Sequence, residues 1–130
     1  MGTRSLTFVY EGDKPFVNMY RQFDGYREGH GRDLAQFLEG LSVVNGIPHG
    51  DQRRLANGMG CLAAQLVAKF KDGVGNIYLH SVDSTDCWQD YEYHLFEDKV
   101  HVLGYGDTVF NGTWEEFIVW ARAEEPQEQE

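Results

Sequence analysis

The run Tyr20-Arg21-Gln22-Phe23-Asp24-Gly25-Tyr26-Arg27-Glu28-Gly29-His30-Gly31-Arg32 constrains this chain more than any other feature, because it separates an extended pattern from a helical one. Its three glycines interrupt regular structure, and glycine is used where φ is positive or two backbones must approach closely. Upstream, Leu6, Phe8 and Tyr10 alternate with Ser5, Thr7 and Val9. Turn chemistry follows at Glu11-Gly12-Asp13-Lys14-Pro15, and a second extended run spans Phe16 to about Phe23. Such a pattern predicts a β-hairpin. Downstream, Leu34, Phe37, Leu38 and Leu41 fall at i, i+3, i+4 and i+7, the stripe of a core-facing helix.

The remaining segments follow the same logic. Residues 42–58, with Gly46, Pro48, Gly50 and Gly58, read as a long loop. Met59, Leu62, Ala63, Leu66, Val67 and Phe70 form a second helical stripe, with Lys69 and Lys71 suited to its negative end and Gly73 and Gly75 stopping it. Three β-like runs come next, 76–82, 88–96 and 100–105, the last two joined at Glu97-Asp98-Lys99. Thr113 with Glu116 makes a capping box before a final helix whose apolar side is Trp114, Phe117, Ile118 and Ala121. The order ββααβββα predicts one α+β domain over residues 1–122, an antiparallel sheet with helices packed on one face. Residues 123–130, rich in Glu, read as an acidic flexible tail.

The chain has 130 residues and a formal charge of −10. Residues 1–54 carry seven Lys/Arg and seven Asp/Glu, whereas residues 55–130 carry four and fourteen. That balance argues against double-stranded nucleic acid, whose binding rests on neutralised phosphates. No apolar run approaches the ~20 residues of a membrane span, and no signal peptide is read at the start, so the expectation is a cytoplasmic protein. Met1-Gly2 does not lead into a myristoylation pattern, because Leu6 stands where Ser or Thr is wanted. Cys61 and Cys87 lack CxxC spacing and read as two reduced thiols.

Two readings of the glycine–arginine run stand side by side. In one, Arg4, Arg21, Arg27 and Arg32, with His30 and the Gly29 and Gly31 amides, ring a phosphate or carboxylate, while Tyr20, Phe23 or Tyr26 stacks a base and Gln22 and Asp24 complete the wall. In the other, Asp24-Gly25 is a tight turn and the arginines serve the fold. His30 is the candidate general acid or base, its ordinary pKa lying near neutrality. His49, His80, His94 and His101 have no HxH or HxxxH spacing, so no metal and no cofactor is expected. Asp83-Ser84-Thr85-Asp86-Cys87 reads as turn chemistry, and its acids would blunt a thiol. Gly2 has no side chain with which to serve as an N-terminal nucleophile.

The segments Met1-Gly2-Thr3-Arg4-Ser5-Leu6, YRQFDGYREGHG and Gly60-Cys61-Leu62-Ala63-Ala64-Gln65-Leu66 carry a resemblance. The chain is similar to an uncharacterised family of small bacterial and phage proteins beginning MGTR-(S/H)-L with a Y-x-Q-(F/W)-DGY-x-x-G-(H/Q)-G motif. The likeness covers most of residues 1–70 and, more loosely, the FNGTWEEF end. It implies no catalytic residues. Phage carriage implies a host-interaction role, including sequestration of a nucleotide signal made by a host defence system.

The expectation from all of this is a binding protein for a small anionic ligand, a nucleotide or nucleotide-derived signal, acting as a homo-oligomer whose interface completes the pocket. One alternative is a hydrolase or lyase acting on a phosphorylated substrate, with His30 and Arg21 in the chemistry. Another is an interaction module whose acidic second half blocks a basic partner. The dense aromatics Trp88, Tyr91, Tyr93, Tyr105, Phe110, Trp114 and Trp120 would supply core and either a self-association face or a ligand wall.

Overall fold

The computed structural model describes residues 2–46 and 54–124. Its strands are β1 (Ser5–Glu11), β2 (Lys14–Arg21), β3 (Ser42–Val44), β4 (Leu55–Asn57), β5 (Ile77–His80), β6 (Tyr91–Leu95), β7 (Lys99–Gly104) and β8 (Asp107–Thr113). The helices are α1 (Arg32–Leu38), α2 (Gly58–Phe70) and α3 (Trp114–Arg122), with a π-helical turn, Arg27–Gly31, leading into α1. The fold is α+β, as the patterning predicts, and its main sheet has six strands in the order β5-β2-β1-β6-β7-β8.

Each hairpin follows from local chemistry. Gly12, at φ +64°, turns β1 into β2 with Glu11 opposite Lys14. Glu97-Asp98 turns β6 into β7, with Phe96 N–H donating to Lys99 O at 2.9 Å. Tyr105 and Gly106, both at positive φ, make a two-residue turn into β8, so the strand expected to end at Tyr105 doubles back. β8 escapes notice in the sequence because Asp107, Asn111 and Gly112 dilute its apolar signal. β1 and β6 pair in parallel, Ser5 opposite Tyr91 and Val9 opposite Leu95, so the sheet is mixed rather than wholly antiparallel. The loop expected over 42–58 begins and ends in strand: β3 and β4 pair in parallel, and Gly58 already belongs to α2. Residues 47–53 of that loop, His49 among them, lie outside the described residues, as does 125–130 of the expected tail.

All three helices contribute to one core against the sheet. Leu34, Phe37 and Leu38 of α1, Met59, Leu62, Ala63 and Leu66 of α2, and Trp114, Phe117 and Ala121 of α3 meet Val9, Met19, Tyr93, Leu95, Val100 and Val102. Burying each large side chain contributes about 1.5–3 kcal/mol before its entropy cost. The capping box at Thr113 is formed, Glu116 N–H donating to Thr113 Oγ1 at 3.1 Å and Thr113 N–H to Glu116 Oε1 at 2.9 Å.

β1 is buried on both sides. Its Ser5-Thr7-Val9 face looks toward the helices, while Leu6 and Phe8 form a second cluster with Tyr20, joined by Tyr10 and Cys87. Among the described residues that opposite face carries no helix, and the loop after β5 returns over part of it. Among the described residues no helix is long and apolar enough to cross a membrane.

Candidate functional site

The glycine–arginine run packs against the start of β1, β6, α1 and α3, with Gly25, His30 and Gly31 buried and Phe23, Asp24 and Tyr26 exposed. Asp24 takes φ +64°, and its carbonyl accepts the His30 N–H at 2.7 Å. A Cβ on Gly29 would overlap that same carbonyl, and one on Gly25 would fall 2.8 Å from Ser5 Cβ. Gly25 N–H donates to Thr3 O at 2.8 Å, and Tyr93 Oη donates to Gly25 O at 2.8 Å. The amides of Gly29 and Gly31 both donate to Tyr26 O, at 3.1 and 3.2 Å. Close packing accounts for Gly25 and Gly29, and the Gly29 and Gly31 amides are already bonded within the turn.

The arginines have internal partners as well. Arg27 Nη1 donates to Trp120 O and Ala123 O at 2.6 and 2.9 Å, its Nη2 meets Glu28 at 2.8 Å, and its guanidinium lies over the Trp120 ring. Arg32 donates to Ala121 O and Ala123 O at 2.8 and 2.9 Å. The two forks therefore cap the C-terminal carbonyls of α3, where the helix dipole is negative. Arg21 Nε donates to Phe23 O at 2.6 Å and Nη1 to Asp33 at 2.9 Å. Arg21 and Lys69 border a small hollow of ≈ 170 Å³, into which Asp33 already brings a carboxylate. Phe23 N–H bonds Asn76 Oδ1, Tyr26 Oη bonds Asp24, and the Arg4 guanidinium has no partner among the described residues.

His30 is fully buried beneath this run. Arg21 Nη1, which can only donate, lies 3.3 Å from His30 Nδ1, so Nε2 carries the proton and donates to Thr7 Oγ1 at 2.7 Å. Burial first, and the Arg21 charge second, push its pKa down to about 3. A neutral, enclosed imidazole has no path to a substrate, so its place in this fold is structural.

An open cleft of ≈ 700 Å³ lies instead on the face without helices, lined by Tyr20, Gln22, Tyr78, His80, the 83–86 loop, Cys87 and Trp88. Two residues of the run reach it, Tyr20 from β2 and Gln22 just past its end. Register brings Tyr20 opposite Tyr78 and Asn18 opposite His80. The Tyr20 ring stacks on His80 at 4.9 Å between centroids and 8° between planes. Asn18, itself buried, donates through Nδ2 to Ser81 O and Ser84 O at 2.9 and 3.0 Å, fixing the loop that returns over the sheet.

That loop delivers Cys87 to His80, with Sγ 3.3 Å from Nδ1. Cys87 N–H donates to Gln89 Oε1 at 2.7 Å, and Gln89 Nε2 donates to Thr85 O and to Glu92. Burial and the Asp86 charge raise the thiol's pKa, so Cys87 rests protonated. Trp88 stands 83% exposed at φ +63°, a strained conformation for so bulky a residue. Asp83 and Asp86 border the cleft, and among the described residues no lysine or arginine lines it.

The same face continues into a polar network. Glu92 Oε1 is 3.0 Å from His94 Nε2, and Tyr10 Oη is 2.7 Å from His94 Nδ1. His94 first, with Gln89 adding to it, holds the Glu92 carboxyl below its usual range despite burial. His101 is the cross-strand partner of His94, their rings 5.9 Å apart. Among the described residues no group of three His, Cys, Asp or Glu side chains is arranged to hold a metal.

The sequence reading missed the pairing of His80 with Cys87. They stand seven positions apart, a spacing with no motif meaning, and only the β2–β5 pairing and the Asn18 tether bring them together. The legible hint was a strand histidine followed by a Ser-Thr-Asp loop ending in cysteine. Compared with family models, curated proteins and solved structures, the chain matches none of them. Function is therefore read from the geometry of the cleft.

Proposed function

We propose that this chain is a binding protein for a small planar ligand, held in the cleft on the helix-free face of the sheet. The observation that carries the reading is Trp88, held exposed in a strained backbone conformation beside a ring-lined hollow of ligand size. Trp88 offers a flat face, and stacking on such a face contributes about 1–3 kcal/mol per base in nucleic-acid-binding proteins. Gln22, Ser84 and Thr85 supply hydrogen-bonding groups along the wall.

Charge narrows the ligand class. Asp83 and Asp86, with no lysine or arginine among the described lining residues, favour a neutral or cationic ring bearing hydrogen-bond donors. A nucleobase or nucleoside keeps the stacking half of the nucleotide expectation, while phosphates would face two carboxylates. The anionic reading keeps the Arg21–Lys69 hollow, where Asp33 competes.

The test is a titration of the purified chain with nucleobases, nucleosides, linear and cyclic nucleotides and aromatic ammonium compounds. Binding is read by tryptophan fluorescence and by thermal shift. A ligand at a hundredfold excess over Kd stabilises by about 2.7 kcal/mol. The reading expects nucleosides or cationic rings to bind and Trp88→Ala to abolish that binding. Tighter binding of phosphorylated ligands, lost on Arg21→Ala and kept in Trp88→Ala, overturns it in favour of the arginine site.

A further inference from the structure

We infer that Cys87 and His80 form a nucleophile–base pair that takes up acyl groups from neutral or cationic esters and thioesters entering the cleft. The proposed function assigns this cleft a reversible ligand; the pair adds a reaction that does not depend on that ligand's identity.

Three observations carry the inference. Nucleophile and base are within hydrogen-bonding reach, Cys87 Sγ lying 3.3 Å from His80 Nδ1. The imidazole is oriented from outside the pair, its ring stacked on buried Tyr20. Both side chains line the ≈ 700 Å³ cleft, so an acyl carbon can reach the sulfur. Cys61, the other thiol, has no such base: its Sγ is approached by Gln65 Nε2 at 3.4 Å, and it packs against the helical core.

The chemistry follows from the resting state. The thiol is protonated, so its proton must leave as the new bond forms. Sγ attacks the acyl carbon, making an S–C bond, while the thiol proton passes to Nδ1 of His80. Collapse of the tetrahedral species breaks the bond between the acyl carbon and its leaving oxygen or sulfur. The leaving group takes the proton from Nδ1, and Cys87 holds the acyl group as a thioester. Asp83 and Asp86, which line the same cleft, discourage anionic acyl donors.

The experiment uses p-nitrophenyl acetate, a neutral activated ester, with the full-length chain. Acetylation is followed by intact mass and peptide mapping across a pH series. The expected result is acetylation of Cys87 at least about tenfold faster than of Cys61, with a pH–rate profile that bends to a plateau, as general-base catalysis requires. His80→Gln is expected to slow Cys87 about tenfold or more, turn its profile into a continuous rise with pH, and leave Cys61 unchanged. Equal rates at the two cysteines of the unmodified chain overturn the inference, and that comparison needs no variant to fold. An unchanged pH profile in folded His80→Gln overturns it too. Neither outcome bears on whether nucleosides bind beside Trp88, so the two proposals fail independently.

Discussion

His30 Nε2 donates to Thr7 Oγ1 at 2.7 Å inside a site closed to solvent, tying the turn before α1 to the central strand. Thr7 lies on the helix-facing side of β1, where an apolar residue would be the ordinary choice. Its hydroxyl is there because the imidazole above it needs an acceptor. Stability should therefore depend on pH in a definite direction. The folded protein keeps His30 neutral down to about pH 3, whereas the unfolded chain protonates it near 6.5. Between those values the unfolded state binds the extra proton, so stability falls as pH falls, by about 1.4 kcal/mol per unit from this group. Urea unfolding at pH 7, 6, 5 and 4 checks it. His30→Gln, able to donate to Thr7 and accept from Arg21, should flatten that slope.

Arg27 and Arg32 hold the end of α3 from the far side of the molecule in sequence, bonding the carbonyls of 120, 121 and 123. Replacing either with alanine should cost about 1.5–3 kcal/mol, because charged hydrogen bonds are lost and carbonyls are left open. Lysine should recover little, since one ammonium cannot span two carbonyls as a planar fork does. Urea midpoints measure the loss. Ligand binding at the cleft should survive in whatever fraction stays folded.

Gly29 admits no side chain without moving Asp24. Gly29→Ala should destabilise by about 1–3 kcal/mol or more, through overpacking of the turn. Gly60→Ala, whose Cβ would meet nothing within 4 Å, is the matched control and should be neutral or stabilising within α2. Thermal unfolding of the two variants side by side separates a packing constraint from a general intolerance of substitution.

Trp88 sets binding against stability. Glycine adopts φ +63° freely, so Trp88→Gly should raise stability by about 1 kcal/mol while removing the stacking face. Binding should then be lost in a protein that melts higher than its parent. A variant that melts lower would mean the indole packs on the 84–89 loop instead of presenting itself to a ligand.

The loop tether offers one more comparison. Asn18→Ala removes the bonds to Ser81 O and Ser84 O and should free Cys87 from His80. The measurement is the rate of Cys87 acetylation, expected to drop toward that of Cys61 with the core helices intact by circular dichroism.

Local pattern was enough to reveal three helices, two hairpins and the capping box. Leu34, Phe37, Leu38, Met59, Leu62, Leu66, Trp114 and Phe117 are buried where their 3.6-residue spacing implies, because a stripe repeating at that period can only be covered along one side of a helix. It was also enough to mark Tyr20–Arg32 as exceptional, but not to say why. Whether a guanidinium meets a ligand or the end of α3 depends on a helix about ninety residues away.

Tertiary structure alone decided the rest. The parallel pairing of β1 with β6 spans the whole core, and no local signal encodes the partner of a strand. That pairing fixes β1 in the centre, leaves Ser5, Thr7 and Val9 toward the helices, and turns Leu6, Phe8 and Tyr20 to the face where the cleft opens. His80 and Cys87 become neighbours only after β5 joins β2 and Asn18 anchors the returning loop. Sequence spacing reports which groups can share a face within one element. Which elements come together is set by burial and hydrogen bonding between distant segments, and there the candidate site was made.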